Sequence, residues 1–440
     1  MQKNLNELHG GILKNLSIPS FNRMQEDVIE KAASVDNIIL LAPTGSGKTL
    51  AFLIAVLNTL HAKENGVQAL IITPSRELAL QIEQVFRTMK TNFKVSCCYG
   101  GHSVKIEQNS LREAPALIIG TPGRIADHVN RNSFDATTIT TIVLDEFDKS
   151  LQMGFEDQME FIFKALRKNQ QHILTSATSL ETLPAFLPFK KAETLNYLKE
   201  ERGSKLKLSV VHTNSTDKVE SLMKLVAGFN QEVCLIFCNH REAVERITTL
   251  FENHKFAHGI FHGAMEQIDR EKSLIRFRGG AHNVLISTDL AARGLDIPEI
   301  KHVVHYQLPH HEEEFIHRNG RTARMHAEGE AYLILADDES LPAYITGSIK
   351  ELKVGKLQLP PPTKYVCLYI SAGKKDKISK GDIAGLMIKK GGLKDDELGL
   401  ITILDHASYV AVKRSEVSKL LSGIKNEKLK KIKVKVEIAS

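Results

Sequence analysis

The chain has 440 residues, too many for one hydrophobic core and enough for two or three domains. Hydrophobic residues make up 42% and charged residues 25%, an ordinary soluble composition; no apolar run reaches membrane-span length, and MQKNLNELHG lacks the apolar stretch of a signal peptide. Net charge is +6, yet residues 363–440 hold 17 Lys and Arg against 9 Asp and Glu, leaving the first 362 residues at −2. A basic end beside a near-neutral body reads either as a polyanion-binding module or as a solvated lysine-rich surface. Five cysteines (Cys97, Cys98, Cys234, Cys238, Cys367) form no CxxC pair or metal spacing and read as buried thiols of a reducing cytosol.

Along the chain, short apolar or β-branched runs alternate with helix-length segments. IILLA (38–42), ALIIT (69–73), ALIIG (116–120), TIVLDE (141–146) and HILTSAT (172–178) predict buried strands, with helices over 47–60 and 75–90. The alternation then restarts. VCLIFC (233–238), HNVLIST (282–288), HVVHYQL (302–308) and AYLILA (331–336) are separated by helices near 240–254 and 266–277. This pattern predicts parallel sheets covered by helices on both faces. We read lobes at 1–200 and 204–352, joined near KEERGSK (199–205). A proline-rich linker follows at 353–363, its LQLPPPTK run unable to continue a helix or central strand. Residues 364–440 form a small α+β module, with strands at YVCLYIS (365–371), SYVAVK (408–413) and IKVKVEIA (432–439) and a helix over 380–392.

APTGSGKT (Ala42, Pro43, Thr44, Gly45, Ser46, Gly47, Lys48, Thr49) follows a strand and opens a helix. It is a phosphate-binding loop with alanine in place of the usual first glycine. Its glycines let backbone N–H groups curl around phosphates, Lys48 reaches the outer phosphates and Thr49 ligates Mg²⁺. Asp145 and Glu146 end a neighbouring strand. Beside such a loop, Asp145 holds the Mg²⁺ shell and Glu146 orients the attacking water. Read alone, the two acids would be an ordinary acidic helix start. No N-K-x-D guanine-reading motif is present, so ATP is the expected nucleotide.

These motifs and those around them resemble the DEAD-box RNA helicases of superfamily 2. In family order come PSFNRMQ (19–25), APTGSGKT (42–49), PSREL (74–78), GG (100–101), TPGR (121–124), DEFD (145–148) and SAT (176–178). LIFCN (235–239), QIDR (267–270), STDLAARGLD (287–296) and HRNGRTAR (317–324) follow in the second lobe. The resemblance covers about residues 1–350. It implies two RecA-like parallel-sheet lobes in tandem that hydrolyse ATP with Mg²⁺ on closing over one RNA strand. Gln25 would read adenine. Arg321 and Arg324 would act as arginine fingers, and Gly294 and Asp296 would contact the nucleotide from the second lobe. RNA phosphates would be held by Arg76, Gly101, Thr121, Gly123, Arg124, Arg270 and Thr288. Ser176, Thr178 and Asp148 would couple hydrolysis to strand separation. Taken singly, each of these residues reads as an ordinary ion pair or structural group.

The departures are Phe147 for the family's alanine, Ser75 for threonine, and Asn319 and Ala323 in the arginine motif. No aromatic occurs in residues 1–20, where the family stacks one on adenine, so either a modest adenine affinity or an aliphatic stacking contact is expected. Phe147 is expected to repack the contact with the SAT strand, touching coupling more than hydrolysis. Phe147 and the missing aromatic leave open a non-catalytic clamp.

The module resembles the C-terminal RNA-binding domain of the DbpA group, through LYISAGKKDKISKGDIAGLM, GGLKDDELGLITI and SYVAVKRSEV. That implies an RNA-recognition-motif-like α+β domain that grips a hairpin of large-subunit ribosomal RNA within a pre-ribosomal particle. SYVAVK lacks the stacking aromatics of ordinary RNA-recognition motifs. Lys374, Lys375, Lys377, Lys380, Lys413 and Arg414 are therefore the expected contacts. The implied protein is a cytoplasmic monomer that separates short duplexes. A general RNA remodeller without a ribosomal address stays open.

Overall fold

The computed structural model describes residues 2–62, 64–101, 103–167, 170–180, 182–189, 191–198, 206–214, 218–289, 300–322, 329–346 and 349–439, with backbone only for 2–6. They fall into two compact units, one up to residue 204 and one from 205 onward. The expected link at 199–205 lies outside the described residues. Among the described residues no helix is long and apolar enough to cross a membrane.

The first unit is a parallel sheet of β1 (Asn37–Leu41), β2 (Ala69–Ile72), β3 (Val95–Cys98), β4 (Leu117–Gly120), β5 (Thr141–Leu144), β6 (Gln171–Ser176) and β7 (Glu193–Asn196). Their order is β3-β4-β2-β5-β6-β1-β7. The strand ALII (69–72) is apolar throughout because both faces of the sheet are covered. Ala69 and Ile71 join a core under α3 (Lys48–Thr59) and α4 (Arg76–Thr88). Leu70 and Ile72 join another, with Ile125 of α6 (Pro122–Asn130) and Met159 and Ile162 of α8 (Glu156–Ala165). Successive side chains point to opposite faces, so one strand feeds two cores.

The second unit repeats the plan. It holds β8 (Leu206–Thr213), β9 (Cys234–Cys238), β10 (Gly259–Phe261), β11 (Val284–Thr288), β12 (His302–His305), β13 (Gly329–Ala336) and β14 (Lys350–Glu351). Their order is β10-β11-β9-β12-β13-β8-β14. Counted from each lobe's first strand, the two orders are identical. In these two sheets the strands absent from the sequence expectations are β3, β7, β10 and β14, all edge strands, together with β8. TIVLDE stops as a strand at Leu144, because Glu146 turns into the left-handed region at φ 47°.

The tail is an antiparallel sheet of β15 (Tyr365–Ile370), β16 (Leu398–Ile403), β17 (Ser408–Lys413) and β20 (Val436–Ile438), in the order β16-β17-β15-β20. The expected strand 432–439 is divided: Ile432–Lys433 pairs with Lys428–Leu429 as a small hairpin, and only β20 joins the sheet. The expected helix 380–392 is an α-helix over Lys380–Gly385 that widens to a π turn over Leu386–Lys390. Val366, Leu368 and Ile370 face the tail's own core. Cys367 and Tyr409 face the opposite way and pack with Ile275 of α11 (Gln267–Arg278) and with Ala281. The open face of the tail sheet thus lies on the second lobe.

Candidate active site and RNA interface

The first unit's motifs collect at the carboxyl ends of its parallel strands, where α/β sheets bind ligands. The phosphate loop follows β1. Gly45 (φ 87°) and Gly47 (φ 92°) adopt backbone that other residues avoid. A Cβ on Gly47 would also lie 2.5 Å from Gln25 Nε2. Gln25 docks on the loop, donating from Nε2 to the Gly47 carbonyl at 3.2 Å, while Asn22 Nδ2 donates to the Ser46 carbonyl at 3.0 Å. Asn22 and Gln25 also cap α2 (Arg23–Ala32) reciprocally, each side chain accepting the other's N–H at 2.9 Å. Buried Lys48 curls over the loop and donates to the carbonyls of Ala42 and Pro43, at 2.5 and 2.9 Å. Upstream, Ile12 is buried in the core, and Phe21 meets His9 edge-on at 5.6 Å.

Asp145 and Glu146 leave β5, adjacent to β6. Thr175 Oγ1 donates to Asp145 Oδ1 at 2.6 Å and accepts the Glu146 N–H at 3.2 Å. Burial first, and then the Glu146 carboxylate, push Asp145 up to about 6, against the pull of the Thr175 hydroxyl and Lys48. Two carboxylates crowded in a buried site beside one ammonium call for a further cation. The chemistry of Asp145, with the Thr49 hydroxyl on the first turn of α3, fits Mg²⁺.

Asp148 and the SAT motif are brought together. Thr178 Oγ1 donates to Asp148 Oδ2 at 3.1 Å, and Ser176 Oγ donates to the Thr178 carbonyl at 2.7 Å. Phe147 is fully buried in the core cluster that holds Met159, Ile162, Leu187 and Phe189. The bond between Asp148 and Thr178 stands with Phe147 in place.

The expected RNA residues of this unit lie on neighbouring loops. Arg76 begins α4 and packs on Gly100, where a Cβ would sit 3.2 Å from Arg76 Nη2. Gly101 takes φ 100°. Thr121 is the N-cap of α6, which contains Gly123 and Arg124. Arg124 Nη1 donates to Glu107 Oε2 at 2.9 Å. Glu107, on α5 (Val104–Leu111), escaped the sequence reading because one acid on an amphipathic helix carries no motif signal.

In the second unit Arg270 lies over the Phe261 ring at 4.9 Å, and Thr288 ends β11. Arg321 is buried just beyond the helix Glu312–Asn319. Arg324, Gly294 and Asp296 lie outside the described residues. Arg318, also missed, is fully buried and ties three motifs together: it donates to Asp289, to Asn239 Oδ1 and to the Gln307 carbonyl. Asn319 Oδ1 accepts from buried His305 Nε2 at 3.0 Å, so the departure from isoleucine has its own partner.

In the tail Lys374, Lys375 and Lys377 are exposed on one loop and Lys380 at the start of the helix that follows it, and exposed Lys428, Lys430, Lys431, Lys433 and Lys435 lie on the C-terminal hairpin and the run into β20. Lys430 joins the two groups, donating to the Lys377 carbonyl at 2.6 Å and pairing with Asp382 at 2.9 Å. Lys413 ends β17. Arg414, exposed, also grips the linker: Nε donates to the Thr363 carbonyl at 2.6 Å and Nη2 to its hydroxyl at 2.5 Å, while Thr363 Oγ1 donates to the Ala281 carbonyl at 3.0 Å.

Comparison with known proteins agrees with this geometry. The family described as DEAD/DEAH box helicase matches residues 22–185, the helicase conserved C-terminal domain matches 217–326, and the DbpA RNA binding domain matches 367–438. The ATP-dependent RNA helicase DbpA of Escherichia coli is 30% identical over 95% of this chain and 94% of its own. The chain belongs to the DEAD-box RNA helicases. Bacillus subtilis DbpA is 29% identical over 97% of this chain and 96% of its own. The structure of S. cerevisiae Dbp5 bound to RNA and ADP BeF3 superposes with a TM-score of 0.67 at 28% identity, covering 76% of this chain and 90% of that one. DEAD-box helicase Mss116 bound to ssRNA and UDP-BeF gives 0.67 at 25% identity, over 74% and 72%. This DEAD-box helicase is therefore an RNA-binding, ATP-hydrolysing enzyme built of two RecA-like lobes and an antiparallel tail domain.

Proposed function

We propose that this helicase separates short RNA duplexes in assembly of the large ribosomal subunit, addressed by its tail to a hairpin of that subunit's RNA. Working as a cytoplasmic monomer, it would hold ATP on residues 42–49 and Gln25, with Mg²⁺ on Thr49 and Asp145. Glu146 would deprotonate the attacking water while Lys48, Arg321 and Arg324 stabilise the phosphoryl group. Gly294 and Asp296 complete the nucleotide contacts. Arg76, Gly101, Thr121, Gly123, Arg124, Arg270 and Thr288 grip the strand's sugar-phosphate chain without reading sequence.

The observation that carries this reading is the chain Asp145–Thr175 and Asp148–Thr178. It joins the metal-site strand to the SAT motif by side-chain hydrogen bonds at 2.6 and 3.1 Å. The tail's address is supported by similarity to two DbpA helicases over nearly the full chain. It is supported too by the exposed lysines of the loop and the hairpin, while Cys367 and Tyr409 on the sheet face are buried with Ile275. A tail held on one RNA hairpin raises the local concentration of neighbouring duplexes at the core.

The test is ATP hydrolysis without RNA, with poly(A) and with large-subunit ribosomal RNA fragments, using Glu146→Gln as the blank. Strong stimulation by one ribosomal fragment, lost on deleting 363–440, is expected. Equal stimulation by every RNA would leave a general remodeller, and no turnover above the blank would leave an RNA clamp.

A further inference from the structure

Glu107 is only 3% exposed at its side chain, yet no motif contains it. Its two oxygens face different loops. Oε1 accepts the backbone N–H of Tyr99 at 2.9 Å, immediately before Gly100 and Gly101. Oε2 receives Arg124 Nη1 at 2.9 Å and His128 Nε2 at 2.7 Å, both from α6. The short His128 distance places that ring's proton on Nε2. One carboxylate therefore fixes the turn after β3 and the first two turns of α6, which leave adjacent parallel strands.

A purely structural acid would need only to be satisfied. Glu107 instead joins the two loops that our reading assigns to RNA phosphates. A guanidinium has five N–H donors in a rigid plane, so an arginine held by a carboxylate on one side is pre-aimed on the other. Pre-aiming removes the entropy of ordering that side chain when the strand binds. Cys98 lies close enough to Glu107 and His128 for the three to be considered as cation ligands. However, the Arg124 guanidinium already neutralises the carboxylate, and burial pushes the Cys98 thiol far from its ionised form.

We infer that Glu107 is a positioning residue for RNA, setting the distance between the Gly100–Gly101 turn and the Arg124 guanidinium so that both meet phosphates of one strand. The inference rests on the proposed RNA role of Arg124. Glu107→Gln still accepts from Tyr99, but its amide N–H₂ cannot accept from Arg124 or His128. The full-length helicase is assayed for RNA-stimulated ATP hydrolysis on poly(A), with KM for RNA, KM for ATP and kcat read separately. Glu107→Gln is expected to raise KM for RNA about tenfold, as befits one lost charge-assisted contact, with kcat and KM for ATP held. Arg124→Ala is expected to raise KM for RNA as well, and the double variant to match Arg124→Ala alone. Additive effects, or a fall in kcat without a rise in KM for RNA, would overturn the inference. So would Arg124→Ala acting on KM while Glu107→Gln leaves it unchanged. If Arg124→Ala itself leaves KM for RNA unchanged, the RNA role of Arg124 fails first and takes the inference with it. Should Glu107→Gln melt below the assay temperature, Glu107→Asp keeps the charge but withdraws it by one methylene, and must raise KM for RNA in the same way.

Discussion

Arg318 and Asp289 meet fork to fork in the second lobe, Nε to Oδ1 at 2.6 Å and Nη2 to Oδ2 at 2.5 Å. The Arg318 side chain is 1% exposed, and its guanidinium also lies 5.1 Å from the centre of the Phe237 ring. Removing it leaves a mostly buried carboxylate without its cation. Arg318→Met should destabilise this lobe by about 3–5 kcal/mol. Arg318→Lys keeps the charge but not the planar fork, so most of the loss should remain. Scanning calorimetry of the full chain, following the lower transition, checks this; an Arg318→Lys protein melting like the parent would show that the fork contributes little.

The second lobe should be acid-sensitive through His305. Burial, and next the Arg318 charge, push its pKa down to about 3. His282 is pushed down to about 3 as well, by burial and then Arg276. The unfolded chain binds a proton near 6.5 that the folded chain refuses until about 3. Stability present above 6.5 is therefore lost as pH falls toward 3, by about 2 kcal/mol per histidine at pH 5. Urea unfolding at pH 7.5 and 5.0 measures it, and His305→Gln should flatten the profile. Asn319→Ile matches the family's residue but strands His305, and should cost about 1–3 kcal/mol at pH 7.5.

Phe147→Ala gives the chain the family's four letters and should nonetheless harm it. The ring is fully buried, so its removal opens a cavity costing about 3–5 kcal/mol. Hydrolysis per folded molecule should not rise. Thr178→Ala deletes the donor to Asp148 instead, and should lower duplex separation about tenfold while ATP turnover changes less. Parallel unwinding and ATPase assays compare the two; equal losses of both activities in Thr178→Ala would remove its coupling role.

The tail lysines should act on one class of RNA. Replacing Lys374, Lys375 and Lys377 by Glu should raise KM for the ribosomal fragment and leave poly(A) unaffected. It should also reduce the slope of log KM against log salt by about 2. Arg414→Ala breaks the Thr363 anchor and should leave that slope unchanged while exposing residues 353–363 to protease. A changed slope would make Arg414 a phosphate contact as well as an anchor.

Most central strands were legible in the sequence because both faces of a parallel sheet are covered, which makes such a strand a continuous apolar run; β8, LKLSVVHT, is only partly buried and escaped. Edge strands escaped for the same physical reason. Val95–Cys98, Glu193–Asn196, Gly259–Phe261 and Lys350–Glu351 each pair on one side only, are short, and need no such run. The phosphate loop and DEFD were legible because phosphate and metal chemistry admits few residue types at fixed spacing.

What the sequence determined alone was therefore local: which segments are strands buried on both faces, where backbone N–H groups cradle phosphate, and which two acids stand at a strand end. Tertiary structure decided which distant groups meet. Glu107 reaches Arg124 and Tyr99, Asn319 reaches His305, Arg414 holds Thr363, and Cys367 and Tyr409 close on Ile275. Such partners lie on different strands and loops, so no spacing along the chain encodes them. Only folding makes them neighbours, and burial then makes each such contact strong enough to matter.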